Sequence, residues 1–345
     1  MASNKEVQRP AEAKRLSWRA TVAWVMLAGV VLWLFIAGFP AWYTQVASAC
    51  STVDCIFFQL PEASARALAD LGVPLWVYAG YMGTLLLLVT LTFLIASAVI
   101  FLQRAQSRMA TFVSFMLVLA PLTVFFTVPE EVTVAHPFWH IPVRLLHAAG
   151  IWSLIVFSQT FPDGRFVPRW SRLLAWVAVP VLGIIFLSNP LSNLAAPTTF
   201  PERLLAVTLF AGIGSSIAFQ VYRYSHEANA VERQQMKWVA AGFALFVAVG
   251  VTFVLVFILF RQVRTPGLLN GFYFLLGGTI INLVLILFMF SFAIAILRYR
   301  LWDIDFIIRR TLVYTILTAT LGLIYLASVI LLQGLLRYLF SQESS

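Results

Sequence analysis

The sequence predicts an all-α, polytopic integral membrane protein with about nine transmembrane helices in a single bundle, and three observations carry that reading. The 345 residues are 61% hydrophobic and 11% charged, with a mean hydropathy of +0.91, whereas a soluble domain averages about 25% charge. Apolar runs of about 20 residues, the length a bilayer core demands, recur along the chain. The 14 acids fall between those runs or at their ends.

Apolar windows at 21–41, 75–102, 109–128, 143–161, 172–189, 204–222, 237–260, 271–297 and 311–335 give the nine spans. They form one transmembrane domain, 21–335, between a basic segment at 1–20 and a short tail at 336–345. The first window resembles an export signal, with basic residues before it and "VASAC" after it at 46–50. Its apolar run from Thr21 to Phe39 exceeds the roughly 7–15 residues of a secretory core, so an uncleaved first span is expected.

Placing the N-terminus inside assigns 17 Lys and Arg residues to inner loops and 6 to outer loops. Positive residues concentrate on the cytoplasmic side, which predicts a bacterial inner-membrane protein with a cytoplasmic N-terminus and, after nine spans, an outer C-terminus. The net charge of +9 is read as orientation and contact with anionic lipid. Nothing in it points to nucleic acid.

Pro40, Pro74, Pro129, Pro142, Pro162 and Pro266 are expected at span ends. Pro121 and Pro180 fall within spans, where a missing amide donor kinks the helix. With no acid near mid-membrane, proton-driven transport is disfavoured, since such carriers keep an ionisable group there despite its cost.

Four polar segments carry candidate chemistry. Cys50 and Cys55, in "ACSTVDC", can form a disulfide in an oxidising compartment or remain two thiols. His136, His140 and His147 are ligand types that zinc accepts, and they stand with Glu130 and Glu131 in "EEVTVAHPFWHIPVRLLHAAG". Pro137 and Pro142 argue against one helix face presenting all three histidines, and interfacial histidines explain the same letters, so no metal or other cofactor is assigned. In "FPDGRFVPRWSR", Pro162, Asp163 and Gly164 predict a tight cytoplasmic turn, with Arg165, Arg169 and Arg172 toward phosphate headgroups. "YRYSHEANAVERQQMKWV", 222–239, can form a short helix on the membrane surface, read first as a solvated connection and second as a docking face for a cytoplasmic partner.

The stretch "RYRLWDIDFIIRRTL", 298–312, places Trp302 between arginines and beside Asp303 and Asp305. That composition suits a segment lying in the interface plane.

Several of these blocks carry a resemblance. "FPDGRFVPRW", "VERQQMKWV" and "AIAILRYRLWDIDFIIRRTLVYTILTATLGLIYLASVILLQ", with "YAGYMGTLLLLVTLTFLIASAVIFLQ", resemble the membrane-spanning input region of bacterial multi-span sensor histidine kinases, similar to those of Chloroflexi-like bacteria. The similarity runs over about residues 70–345 and singles out Pro162, Asp163, Gly164, Arg165, Trp302, Asp303 and Asp305. It implies a noncatalytic sensor or signal-input module without its output domain. Its partners would be the bilayer, a separately encoded kinase, GAF or regulator protein, and a second copy in a homodimer. The competing expectation is a permease for an uncharged or lipidic solute, with Gln159, Gln220 and Asn282 along a path. No paired-carboxylate, metal or nucleophile arrangement suggests an enzyme.

Overall fold

Backbone N–H and C=O groups in hydrocarbon have only each other to bond, so apolar windows of this length fold as helices. The computed structural model describes residues 18–50, 55–56, 58–104, 107–187 and 200–297. These form α1 (Trp18–Val46), α2 (Glu62–Ala69), α3 (Leu75–Arg104), α4 (Arg108–Val124), α5 (Thr127–Ala135), α6 (His140–Thr160), α7 (Ser171–Leu187), α8 (Phe200–His226), α9 (Ala230–Leu259), α10 (Arg261–Arg264) and α11 (Leu268–Leu297). A 3₁₀ turn, Pro137–Trp139, joins α5 to α6. The described residues contain no strand, only an isolated bridge between Cys50 and Pro61.

Five of these helices, α1, α3, α6, α9 and α11, are each long and apolar enough to cross a membrane, and α4 with α5 makes a sixth if the bent pair is one span. The helices are apolar on both faces. On α11, Leu285, Met289 and Phe292 are buried, while Leu276, Ile280, Leu283 and Leu287 form an exposed stripe at helical spacing. Such a stripe is tolerated by lipid and not by water. The chain is a helical membrane protein.

The count of nine spans is not reached among the described residues. α7 has 17 residues, about 26 Å at 1.5 Å per residue against a core of about 30 Å. α8 is long but more polar, with Ser215, Ser216, Gln220, Arg223 and His226 along it. The window at 311–335, the interfacial stretch with Trp302, Asp303 and Asp305, and the tail lie outside the described residues.

Within the bundle α3 packs between α4 and α11, α11 between α3 and α9, and α6 against α4, α7 and α8. α1 lies on α3 and α5. One large core, including Leu34, Phe35, Trp42, Tyr78, Met82, Leu117 and Leu122, spans most of these contacts. A smaller cluster of Ala148, Ala178, Leu182, Ile185 and Phe186 seals α6 to α7.

Polar contacts sort the loops into two ends. At one end Gln45 Nε2 donates to Glu131 Oε2 (3.1 Å), Tyr43 Oη to the Trp76 carbonyl (3.3 Å), and Ser64 Oγ to Asn270 Oδ1 (2.8 Å). Here α2 fastens the loop before α3 to the start of α11, as the Gly267 amide donates to Ser64 Oγ (2.9 Å). The turn after α6 and the end of α8 meet at the opposite end.

Three local expectations are corrected. The window 109–128 is not one helix: α5 turns from α4 by 74°. Pro129 stands four residues after Phe125, so a continuous helix would need its missing amide and would drive its ring into the Phe125 carbonyl. The segment 222–239 forms no separate surface helix. α8 continues to His226, and α9 starts at Ala230 behind a capping box in which Asn229 Oδ1 accepts from the Glu232 amide (2.9 Å) and Glu232 Oε2 from the Asn229 amide (3.0 Å). Pro40 lies inside α1, which runs six residues past it, and Pro129 and Pro142 lie inside α5 and α6 near their starts.

α1 approaches α5 so closely that a Cβ on Gly38 would overlap the Val128 carbonyl oxygen, whereas one on Gly29 would meet nothing within 4 Å. Gly38→Ala is expected to cost about 1–3 kcal/mol by overpacking, and Gly29→Ala to be neutral or stabilising. Thermal unfolding of the two variants in detergent checks the contrast.

Candidate functional site

The turn after α6 is built by its own residues. Phe161 precedes a proline and takes an extended conformation (φ −68°, ψ 138°) that ends the helix. Gly164 has φ +82° and its amide donates to the Thr160 carbonyl (2.8 Å). Asp163 Oδ1 accepts from the Arg165 amide (3.0 Å), closing a local side-chain turn. The Phe161–Pro162 and Val167–Pro168 peptides are cis. Arg165, Arg169 and Arg172 are all exposed at this end.

α8 supplies what the turn lacks. Ser216, Gln220 and Arg223 recur at helical spacing and face the end of α6. Ser216 Oγ donates to Ser158 Oγ (2.6 Å), and Gln220 Nε2 to the Ser158 carbonyl (2.6 Å) and the Phe161 carbonyl (3.4 Å). Arg223 Nη1 donates to the Phe161 carbonyl (2.9 Å) and the Arg165 carbonyl (3.1 Å), while Nη2 pairs with the Asp163 carboxylate. The Arg223 side chain is 4% exposed and that of Asp163 29%. A guanidinium there also opposes the negative end of the α6 dipole. Trp170, from the same loop, sets its ring 5.3 Å from that of Phe219 on α8.

Near the other end of α6, burial is not matched by partners. Arg144 is 4% exposed and His147 1%, and the two lie three residues apart, on one helix face. Arg144 has one long bond, Nη1 to the Leu187 carbonyl at 3.5 Å, and no carboxylate among the described residues pairs with it. Neither ring nitrogen of His147 has a hydrogen-bond partner, and its ring lies 6.0 Å from Phe186. The positive-inside count takes Arg144 as one of the six outer residues, whereas it lies within α6, past the first turn.

The histidines do not gather. His136 caps the end of α5 and is exposed, His140 opens α6 partly exposed, and His147 is two turns deeper. Among the described residues no three His, Cys, Asp or Glu side chains group to hold a metal ion. Cys50 and Cys55 are joined by a disulfide, with Cα atoms 5.3 Å apart. Of the residues proposed to line a permeation path, Gln220 is bound to backbone, Asn282 Nδ2 donates to the Gly278 carbonyl of its own helix (2.8 Å), and Gln159 is buried with neither amide atom bonded.

Arg223→Ala removes the side-chain donor of the Arg165 carbonyl, leaves the Phe161 carbonyl only the long Gln220 bond and leaves the half-solvated Asp163 carboxylate to Arg165, a loss of about 1–3 kcal/mol. Trypsin cleavage after Arg165 and Arg169 in the detergent-solubilised chain is expected to accelerate by at least about tenfold. Arg223→Lys, a point charge without the fork, falls between.

No protein family, curated protein or solved structure matches the chain, and its chemistry rests on these two polar clusters.

Proposed function

We propose that the chain is a noncatalytic membrane sensor, a signal-input module that passes a change within the bundle to a separate cytoplasmic partner. The observation that carries this reading is the asymmetry of α6. One end holds His147 with no partner and Arg144 with a single long bond, and the other is bonded to α8 through Arg223, Gln220 and Ser216. A disturbance beside Arg144 that shifts α6 along its axis bears directly on the Asp163–Arg223 clamp, because interior packing transmits strain. The resemblance of the 161–170 and 293–333 blocks to sensor-kinase input regions supports the same reading.

In this proposal the chain makes nine spans of a bacterial inner membrane, and the clamp end faces the cytoplasm. Arg165, Arg169, Arg172, Arg223, Arg233 and Lys237 belong to that end, which accords with the positive-inside bias. A kinase, GAF or regulator protein made as a separate chain would read the clamp, with a second copy of this chain as a further partner.

Crosslinking and co-purification from the native host test the function. A kinase, regulator or second subunit is expected to be recovered with the chain, and its absence under every stimulus tried would remove the proposal. The unbonded Gln159 favours a permease as the second reading; saturable solute flux in proteoliposomes of the purified chain would select it.

Orientation has its own readout. An impermeant maleimide applied to spheroplasts is expected to label Cys50 and Cys55 only after reduction. Labelling that needs both reduction and lysis would invert the topology.

A further inference from the structure

Arg144 and His147 are two buried polar side chains whose bonding capacity is almost unused. A guanidinium carries five donors in a rigid fork, and here one long bond to the Leu187 carbonyl engages it. Neutral imidazole carries one donor and one acceptor, and neither ring nitrogen is bonded. An orphaned buried cation costs several kcal/mol, and ionisable residues inside membrane helices mark sites of function. A helix carbonyl can take a second donor, as that of Ala175 in α7 does from Trp152 Nε1 (2.8 Å), but among the described residues only that of Leu187 reaches Arg144. The Leu187 carbonyl is accessible because it is the last of α7.

The missing partner must therefore bring acceptors, at least two of them, and negative charge. Water supplies acceptors without charge. A carboxylate from the protein would supply both, but none among the described residues reaches Arg144. An oxyanion with two or more oxygens fits the fork in bidentate fashion and takes the His147 N–H as a third bond.

We propose that Arg144 and His147 form the binding site of an oxyanion, a phosphate or carboxylate group, held between α6 and the end of α7. This rests on the sensor reading and names the chemical class of the stimulus. The group is either carried by a free small solute or presented by an anionic lipid headgroup, and both meet the same fork. The Phe186 ring lies 6.0 Å from that of His147, and an apolar neighbour of this kind strengthens charge-assisted bonds.

The test uses the full chain in dodecyl maltoside, a detergent without phosphate or carboxylate, followed by thermal unfolding at constant ionic strength. In one arm sodium phosphate or sodium acetate replaces sodium chloride; in the other, phosphatidylglycerol is added to the micelles, with a neutral diacylglycerol as control. A saturable rise in Tm in either arm is expected, abolished by Arg144→Gln and weakened by about tenfold or more in affinity by Arg144→Lys. A rise with free anions assigns the solute as source; a rise with phosphatidylglycerol alone assigns the lipid. No rise in any arm, or an equal rise in Arg144→Gln, overturns the site.

Should Arg144→Gln fail to fold, the native chain labelled with ¹⁵N-histidine carries the test. One ring resonance, identified by its loss in His147→Gln, must move on adding the anion or lipid that stabilises, and a resonance that stays still overturns the proposal. The purified chain needs no partner in these measurements. Failure here leaves the co-purification result standing, and failure there leaves the site standing.

Discussion

Hydrocarbon offers a polar group nothing to bond, and this one property of the solvent places most of the polar atoms of the bundle. Backbone groups are spent inside helices. Hydroxyls turn back on their own helix: Thr84, Thr92, Thr160, Thr252 and Thr279 each donate to the carbonyl four residues earlier at 2.7–2.8 Å. Some hydroxyls cross between helices, as Tyr273 Oη does to the Phe253 carbonyl (2.6 Å), and one crossing forms a closed set. Ser97 and Ser114 bond each other and each other's carbonyls, and Trp24 Nε1 donates to Ser97 Oγ (3.0 Å), so three helices share one satisfied knot. The break between α4 and α5 falls at Phe125, where Pro129 has already removed the donor.

The same constraint gives the turn after α6 its form. A chain leaving a helix beside lipid exposes carbonyls that the helix no longer uses, and those of Phe161 and Arg165 cannot all be left to the interface. Arg223 closes both at once and ties in Asp163. The clamp therefore joins elements 60 residues apart in sequence, making the loop a part of α8 as much as of α6. α6 thereby becomes the strut between the clamp and the buried pair near its start, with α4 packed closely at its middle: a Cβ on Gly150 would overlap Thr123 Cγ2.

Hydropathy located the helices, because the signal it measures is the one that selects them. Its errors share a cause. The windows stop where charge begins, yet hydrogen bonding does not, so α8 and α9 run on through Tyr222–His226 and Ala230–Met236. α2 is eight residues long, too short for any span signal, and its anchoring by Ser64 depends on Asn270 and Gly267, some 200 residues away. The turn at Pro162–Gly164 was legible because its geometry is local. Arg223 was legible only as one more inner positive charge, since neither its burial nor its partners leave a mark in neighbouring residues. His147 was noticed for its chemistry and grouped with His136 and His140 by proximity in sequence, which the 3₁₀ turn and the depth of α6 separate.

The two buried arginines show what burial alone does not decide. Arg223 and Arg144 are 3% and 4% exposed, the same residue type in the same bundle, yet one engages two carbonyls and a carboxylate and the other a single distant carbonyl. The difference lies in what they reach: Arg223 meets a turn and engages two of its carbonyls and a carboxylate, and Arg144 reaches only the last carbonyl of α7, at 3.5 Å. If Arg144 served packing alone, an aliphatic residue of similar volume would fill the place at no electrostatic cost, since replacing buried ions by apolar groups is often neutral or stabilising. The Leu187 carbonyl accounts for one donor of the Arg144 guanidinium, and on the proposal above the remaining donors are one half of an interaction whose other half is anionic.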